Sequence, residues 1–564
     1  MRMYFVKILF LASFFVIFLR LMYWQVVKAD ELQASAEKQR IGNQKTQALR
    51  GNILFSDGTI LAASRPAFLL YGLPKTLTDE EKIKLSKILS EILAGKEDKK
   101  KVQEDFRKVL SEDLYWVVLQ KNVSIEKRKE IEELKLKGIG FDEKSSRFYP
   151  EGSSSAHILG FVGSDSKGEN TGYFGLEGKY NGELRGFTGL IKLEKDSKGL
   201  PILIGNFLGN PSIPGKDLVL NIDRTVQFVV EQALQSGLKK YSAQAASAVV
   251  MEPKTGAILA MASYPNYDPA IFDKFAKDLY KNPIVADSYE PGSTFKVLIM
   301  AGAINENLVK PETICDICSE PVEVGGFNIQ TWNNKYFSQS SMTDVIIHSD
   351  NTGMVFTGKR LGLNKMYSYI ENFGFGNLTG IDLQDEATPE IRTKDAWREI
   401  DLATASFGQG IAITPIQMIS AVGTLASGGN LMEPHIVKEI RDKKGIFEIK
   451  PKVVRKVISE TSAKVVTEMM VKAVDEGEAK FAKPKGFKIA GKTGTAQIPV
   501  AGHYDPNKTI ASFVGFAPAD NPKFIMLVRY DQPASSTFGS ETAAPTFFEI
   551  AKQLFTYYKI APTE

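Results

Sequence analysis

The chain has 564 residues, 43% of them hydrophobic, which suits roughly two to four folded domains with buried cores and excludes an intrinsically disordered protein. Its 70 basic and 66 acidic residues leave a net charge of +4, without the basic footprint that nucleic-acid binding needs. Two cysteines, Cys315 and Cys318, and four histidines, His157, His348, His435 and His503, are too few for a disulfide scaffold and argue against zinc, a histidine relay or any bound cofactor.

The first predicted element is an apolar run from Ile8 to Leu19, preceded by Arg2 and Lys7. A helix from Met3 to Leu19 crosses most of a hydrocarbon core of about 30 Å if Lys7 and Arg20 snorkel to opposite interfaces and Tyr23 and Trp24 form the outer aromatic belt. A cleaved signal peptide is the alternative, with Ala34-Ser35-Ala36 as a cleavage site. The retained anchor is favoured because that site lies well past the apolar run, and both readings export the rest of the chain. The expected arrangement is a single pass through the cytoplasmic membrane, N-terminus inside and the bulk of the protein outside the cytoplasm.

A helical stalk is predicted from Asp30 to Gln47, followed by a strand, a tight Asp57-Gly58 turn and a second strand through Ala62. From Thr76 to Ser145 the Lys- and Glu-rich text carries Leu and Ile at helical spacing, as in Glu80 to Leu93 and Ser124 to Leu136, which reads as solvated amphipathic helices. Glycine-rich alternating segments between Gly152 and Gly215 suggest an irregular sheet module. At Lys216 the texture changes to a strand from Leu218 to Ile222, a helix from Arg224 to Leu238, and a hairpin of Ala246 to Met251 with Ala257 to Ala262. The predicted division is therefore 1–27 for the membrane anchor, 28–215 for a non-catalytic module and 216–564 for a large C-terminal domain.

That last domain holds the residues suited to chemistry. Pro291 and Gly292 open an apolar helix, so Ser293 falls in its first turn and Lys296, three residues on, lies on the same face. A serine hydroxyl needs a base, and a lysine serves if it is uncharged when reaction begins. Lowering its pKa from about 10.4 toward 7 takes burial together with a second cation nearby. Ser-x-x-Lys alone is common. Ser349-Asp350-Asn351 and, after a strand-like run from Phe487 to Gly491, Lys492-Thr493-Gly494-Thr495 complete an ordered set of three motifs similar to that of the penicillin-interacting serine acyltransferases. Read separately, Ser349-Asp350-Asn351 is also a helix cap and Lys492 to Thr495 a strand with a turn.

Acyl transfer to serine requires removal of the hydroxyl proton, two donors for the oxyanion, and a proton for the leaving amine. Lys296 suits the first task, the backbone N–H groups of Ser293 and Thr495 the second, and Ser349 beside a lysine the third. Lys492 with Thr493 and Thr495 would bind a substrate carboxylate while its charge keeps Lys296 neutral.

On these motifs the chain resembles a class B penicillin-binding protein, a membrane-anchored peptidoglycan D,D-transpeptidase. Arg147-Phe148-Tyr149-Pro150-Glu151-Gly152, then Ala156-His157 to Gly163, then Gly175-Leu176-Glu177 with Leu184, Gly186 and Gly189, resemble the family's pedestal motifs, which makes His157 structural. Ser56-Asp57-Gly58 departs from the first pedestal motif by lacking its arginine. The resemblance implies an α+β fold: an N-terminal anchor helix, an elongated mixed pedestal of the dimerisation type, and a transpeptidase domain with a five-stranded antiparallel sheet flanked by helices. It implies Ser293 as nucleophile, with Lys296, Ser349, Asn351 and Lys492 catalytic, Thr493, Gly494 and Thr495 contacting substrate, and Asp350 behind them at a position where the family commonly has serine.

The implied reaction releases D-Ala from a stem peptide and passes the acyl group to an amine on a neighbouring strand, and β-lactams acylate the same serine. The wording Ser406-Phe407-Gly408-Gln409-Gly410 and the glutamate Glu290 favour the division-type septal branch over the elongation type. Implied partners are nascent peptidoglycan and a multi-spanning lipid-linked glycan polymerase. A serine β-lactamase, a non-catalytic β-lactam sensor or scaffold, and a carboxypeptidase side activity are the competing readings. Chain length and the pedestal motifs count against the lactamase.

Overall fold

The computed structural model describes residues 2–95, 98–166, 168–194, 208–500 and 503–563. The chain divides into two compact units, the first formed by residues 1–50, 66–145 and 185–215, the second by 51–65, 146–184 and 216–564. Segments 51–65 and 146–184, from the stretch that the sequence assigns to the non-catalytic module, thus pack within the second unit.

In the first unit the apolar run forms a helix, Arg2–Met22, continued by a π-helical turn, Tyr23–Val27. Every side chain of that helix is exposed although most are apolar. At 1.5 Å per residue, Arg2–Val27 spans about 39 Å, long and apolar enough to cross a bilayer. Tyr23 and Trp24 pair edge to face at 5.5 Å. The stalk predicted to run to Gln47 ends earlier: the helix Ala29–Arg40 gives way to a strand, Ile41–Thr46, paired antiparallel with Gly189–Glu194. Polar text without helical periodicity carries no signal for such a strand, because its pairing partner is remote in sequence.

The amphipathic helices form as expected. Thr78 and Glu81 make a reciprocal capping box that starts the helix Asp79–Leu93. Its Leu85 and Leu89 bury against Phe106 and Leu110 of the helix Lys99–Leu110, over strand residues Phe68, Leu70 and Val123.

The second unit is organised by a five-stranded antiparallel sheet in the order Ile258–Tyr264, Ala245–Met251, Phe524–Asp531, His503–Ala517, Ala490–Val500. The period of two divides its side chains between two cores. Phe524, Met526, Val528 and Tyr530 face one side with the helices Arg224–Lys240 and Ala543–Tyr557. Ile525 and Leu527 face the other, with Lys296–Asn305, Pro415–Ala426 and Glu460–Asp475. Residues of Lys296–Asn305 are apolar all round after the lysine, and all but its last residue are buried.

The same unit buries an ion pair, Arg147 Nε to Glu177 Oε1 at 2.6 Å, with Arg147 Nη1 donating to the Gly51 carbonyl at 2.7 Å. His157 is buried, bonds the Leu279 carbonyl at 3.0 Å and is held uncharged, its pKa lowered to about 4 by burial. Cys315 and Cys318 are joined in a buried disulfide, a local staple in the loop after Lys296–Asn305.

Candidate active site

Ser293 sits in a 3₁₀ turn, Gly292–Phe295, that leads directly into the helix Lys296–Asn305. Two glycines let this turn lie against the outermost strand of the sheet. Gly292 has φ +55°, and a Cβ there would stand 3.1 Å from the Thr495 carbonyl. A Cβ on Gly494 would stand 2.8 Å from Thr294 Cγ2 and 2.5 Å from Ser512 Oγ. Any larger residue at 494 would wedge the strand away from the turn.

The lysine-threonine motif lies inside the strand Ala490–Val500, in register Lys492 to Val514 and Thr495 to Ala511, and not at the end of a strand as the sequence suggests. This is an edge strand, so alternate backbone groups face away from the sheet without a partner strand.

The middle motif, Ser349-Asp350-Asn351, comes from the turn between the helices Met342–Ile347 and Asn351–Asn372. Asp350 is the N-cap of the second helix, accepting from Thr352 N at 2.8 Å and Gly353 N at 3.4 Å, so the motif does act as a helix cap. Ser349, directly before it, is held at φ +55°, in the left-handed region that costs an ordinary residue about 1–2 kcal/mol. That conformation turns its hydroxyl between two ammonium groups.

Lys296 is fully buried, and its Nζ donates to Asn351 Oδ1 at 2.8 Å, to the Ser349 carbonyl at 2.5 Å and to Ser349 Oγ at 3.3 Å. Lys492 Nζ donates to the same Ser349 Oγ at 3.0 Å. Burial, and after it the charge of Lys492, lowers the Lys296 pKa well below the usual range, while the Asp350 and Glu478 carboxylates oppose the shift. Burial lowers Lys492 to about 8, with Glu478 opposing. Two amines that would both be charged in water therefore share one hydroxyl under conditions that favour a mobile proton between them.

Ser293, Ser349, Asn351, Thr493 and Thr495 line one cavity of about 320 Å³. Ser293 Oγ has no hydrogen-bond partner among the described residues, and Lys296 is engaged by Ser349 and Asn351 rather than by Ser293, which departs from the direct pairing expected of the two. Hydrogen bonds of this type tighten when substrate is in place. Thr495 is braced from behind, its Oγ1 accepting from Gly539 N at 3.1 Å.

The sequence reading missed several lining residues: Glu478, Trp332, Phe538 and Gln497, with Thr509 and Thr537. Trp332 and Phe538 stack edge to face at 5.4 Å from two separate loops, where no periodicity marks them. Glu478 belongs to an acidic stretch just past the helix Glu460–Asp475 and reads there as solvated charge. A large exposed aromatic in a loop was the one available signal for Trp332.

Comparison with known proteins gives two family matches, the penicillin binding protein transpeptidase domain over residues 246–553 and the penicillin-binding protein dimerisation domain over residues 45–220. Stage V sporulation protein D of Bacillus subtilis (strain 168) is 35% identical over 100% of this chain and 86% of its own length. Peptidoglycan D,D-transpeptidase FtsI of Escherichia coli (strain K12) is 29% identical over 96% of this chain and 89% of its own. Among solved structures, penicillin binding protein 2X from Streptococcus thermophilus superposes with a TM-score of 0.74 at 24% identity, covering 93% of this chain and 81% of that one. A peptidoglycan synthetase from Bifidobacterium adolescentis does so with a TM-score of 0.73 at 26% identity, covering 93% and 98%.

Proposed function

The chain belongs to the class B penicillin-binding transpeptidase family, and from that premise we propose that it cross-links peptidoglycan stem peptides through an acyl-enzyme on Ser293 and is acylated there by β-lactams. The observation that carries this reading is the single hydroxyl of Ser349 held 3.0 Å from Lys492 Nζ and 3.3 Å from Lys296 Nζ, in the cavity that also holds Ser293.

Ser293 Oγ attacks the penultimate D-Ala carbonyl of a donor stem while Lys296, as the neutral amine, takes its proton. Backbone N–H groups of Ser293 and Thr495 hold the oxyanion. The C–N bond breaks and the departing D-Ala nitrogen takes a proton from Ser349 Oγ, which Lys296 or Lys492 replaces. Lys492, Thr493 and Thr495 bind the donor's terminal carboxylate, Gly494 keeps the strand close to the turn, and Asn351 holds Lys296 in place. Asp350 fixes the turn that presents Ser349. An amine of a neighbouring strand then displaces Ser293 from the ester; water in its place gives the carboxypeptidase side reaction.

We place the enzyme in septal wall synthesis, supported by the SFGQG and YEPGS wording and the likeness to FtsI, with the N-terminus of the anchor inside and a multi-spanning glycan polymerase as partner. The 35% identity to a protein named for stage V of sporulation supports a second setting, wall made during sporulation.

The test is to label membranes containing the full chain with a fluorescent penicillin and map the modified peptide. A long-lived adduct on Ser293 is expected. An adduct elsewhere removes the assignment, and one on Ser293 that hydrolyses within seconds makes the protein a β-lactamase.

A further inference from the structure

Of the fourteen described residues lining the cavity, Glu478 is the one with an ionisable side chain; the others are hydroxyls, amides, aromatics and a glycine. Its position is set by close packing. The preceding Gly477 lies near the end of the helix Met342–Ile347, where a Cβ would stand 3.2 Å from the Ile347 carbonyl and 2.2 Å from that of Ala473. Burial, and to a lesser degree the nearby Glu541, raises the pKa of this carboxylate above the usual range, while Lys492, Lys296 and His348 favour its charged form; it forms no ion pair among the described residues. A glutamate just past a helix end ordinarily points into solvent; this one is half-buried at the wall of a reaction cavity.

We propose that Glu478 receives the ammonium group of the acceptor strand and so determines which nucleophiles resolve the acyl-enzyme. The inference rests on the transpeptidase reading above. That reaction has two substrates of opposite charge at the points of interest. The donor ends in a carboxylate, for which Lys492 is the counter-charge, and the acceptor brings a primary amine that is cationic in water. A carboxylate on the cavity wall, set apart from the donor's counter-charge Lys492, attracts the second. Once D-Ala has left, the ester on Ser293 is neutral, and the cavity retains an acidic group with no ion pair among the described residues.

In the second half-reaction the ammonium gives one proton to solvent and attacks as the free amine. The new C–N bond forms, the ester C–O bond to Ser293 breaks, and the second nitrogen proton returns to Ser293 Oγ. Glu478 is consumed in none of these steps; it concentrates and orients the nucleophile.

The experiment measures partition, since transfer and hydrolysis start from the same acyl-enzyme and their ratio is independent of how fast that species forms. Full-length wild type, Glu478→Gln and Glu478→Asp are given a depsipeptide donor with either a lysyl-amine acceptor, charged at pH 7, or hydroxylamine, uncharged there. For Glu478→Gln the transfer-to-hydrolysis ratio with the charged acceptor should fall about tenfold, about 1.4 kcal/mol. The ratio with hydroxylamine should hold, and Glu478→Asp should recover part of the loss. An unchanged ratio, or an equal fall with both acceptors, overturns the proposal. Failure of the wild type to form an acyl-enzyme from the donor would instead overturn the transpeptidase reading.

Discussion

Replacing Lys492 with methionine should destroy catalysis and make the protein more stable. The wild-type amine is buried and its pKa is lowered from the usual 10.5 to about 8, which at 1.36 kcal/mol per unit means that the charged form is disfavoured in the folded protein by about 3 kcal/mol. Methionine keeps the length and apolar stem and removes the charge. The lost hydrogen bonds to Ser349 Oγ and, longer, to the Thr493 carbonyl and Thr493 Oγ1 together take back about 2 kcal/mol, leaving a gain of about 1 kcal/mol at pH 7.

The pH dependence identifies the cause. Below about pH 8 the lysine is protonated in both folded and unfolded chains and its full penalty is present. Between about 8 and 10.5 the unfolded chain binds more protons, so wild-type stability climbs relative to the variant, and above 10.5 the difference attributable to charge is gone. Scanning calorimetry should show the variant melting about 1–2 °C higher at pH 7, with the difference reversing above about pH 10.5, where the hydrogen bonds remain to the wild type alone. A variant that melts lower at pH 7, or a gap that does not change with pH, refutes the claim that this amine is held against its own solvation.

Further predictions concern the same site and its support. Acylation of Ser293 by a penicillin should fall as pH rises through about 8, because the Lys492 charge that binds the carboxylate titrates there, and stopped-flow acylation rates across pH 6–10 would measure the limb. Ser349→Ala should lower the acylation rate constant by about 10²–10⁴, the range for loss of a positioned proton donor, with the melting temperature little changed. Arg147→Ala should destabilise the second unit by about 3–5 kcal/mol, because the fully buried Glu177 carboxylate loses its guanidinium counter-charge at 2.6 Å. Urea denaturation would measure that loss, and a paired Arg147→Met, Glu177→Leu change should cost less than the single one.

The parts of the fold that were legible in sequence are those with local physics. The apolar anchor, the capped helix Asp79–Leu93, the hairpin at Asp57-Gly58 and the hairpin of the short apolar strand Ala245–Met251 with Ile258–Tyr264 all follow from apolar patterning and turn chemistry over a few residues. The strand Ile41–Thr46 was not, because its partner Gly189–Glu194 lies far along the chain. At the site, the three motifs singled out Ser293 and the two lysines, but not that Lys296 bonds Ser349 and Asn351 in preference to Ser293, since such a choice depends on the left-handed backbone at Ser349. Trp332, Glu478 and Phe538 reach the cavity by tertiary packing alone and carry no positional code.

The interleaving of the two units bears on how this gene can be cut and recombined. A fragment beginning at Lys216 would encode Ser293, both lysines and the whole five-stranded sheet, yet it would lack Ile53, Phe55, Leu61, Ile158, Leu159, Leu176 and Leu184, all of which belong to the largest apolar core of the second unit. Crossovers that respect this core must fall in matched pairs around residues 51–65 and 146–184, so exchange of the reactive half between relatives is constrained by two short upstream passages that contain none of its chemistry.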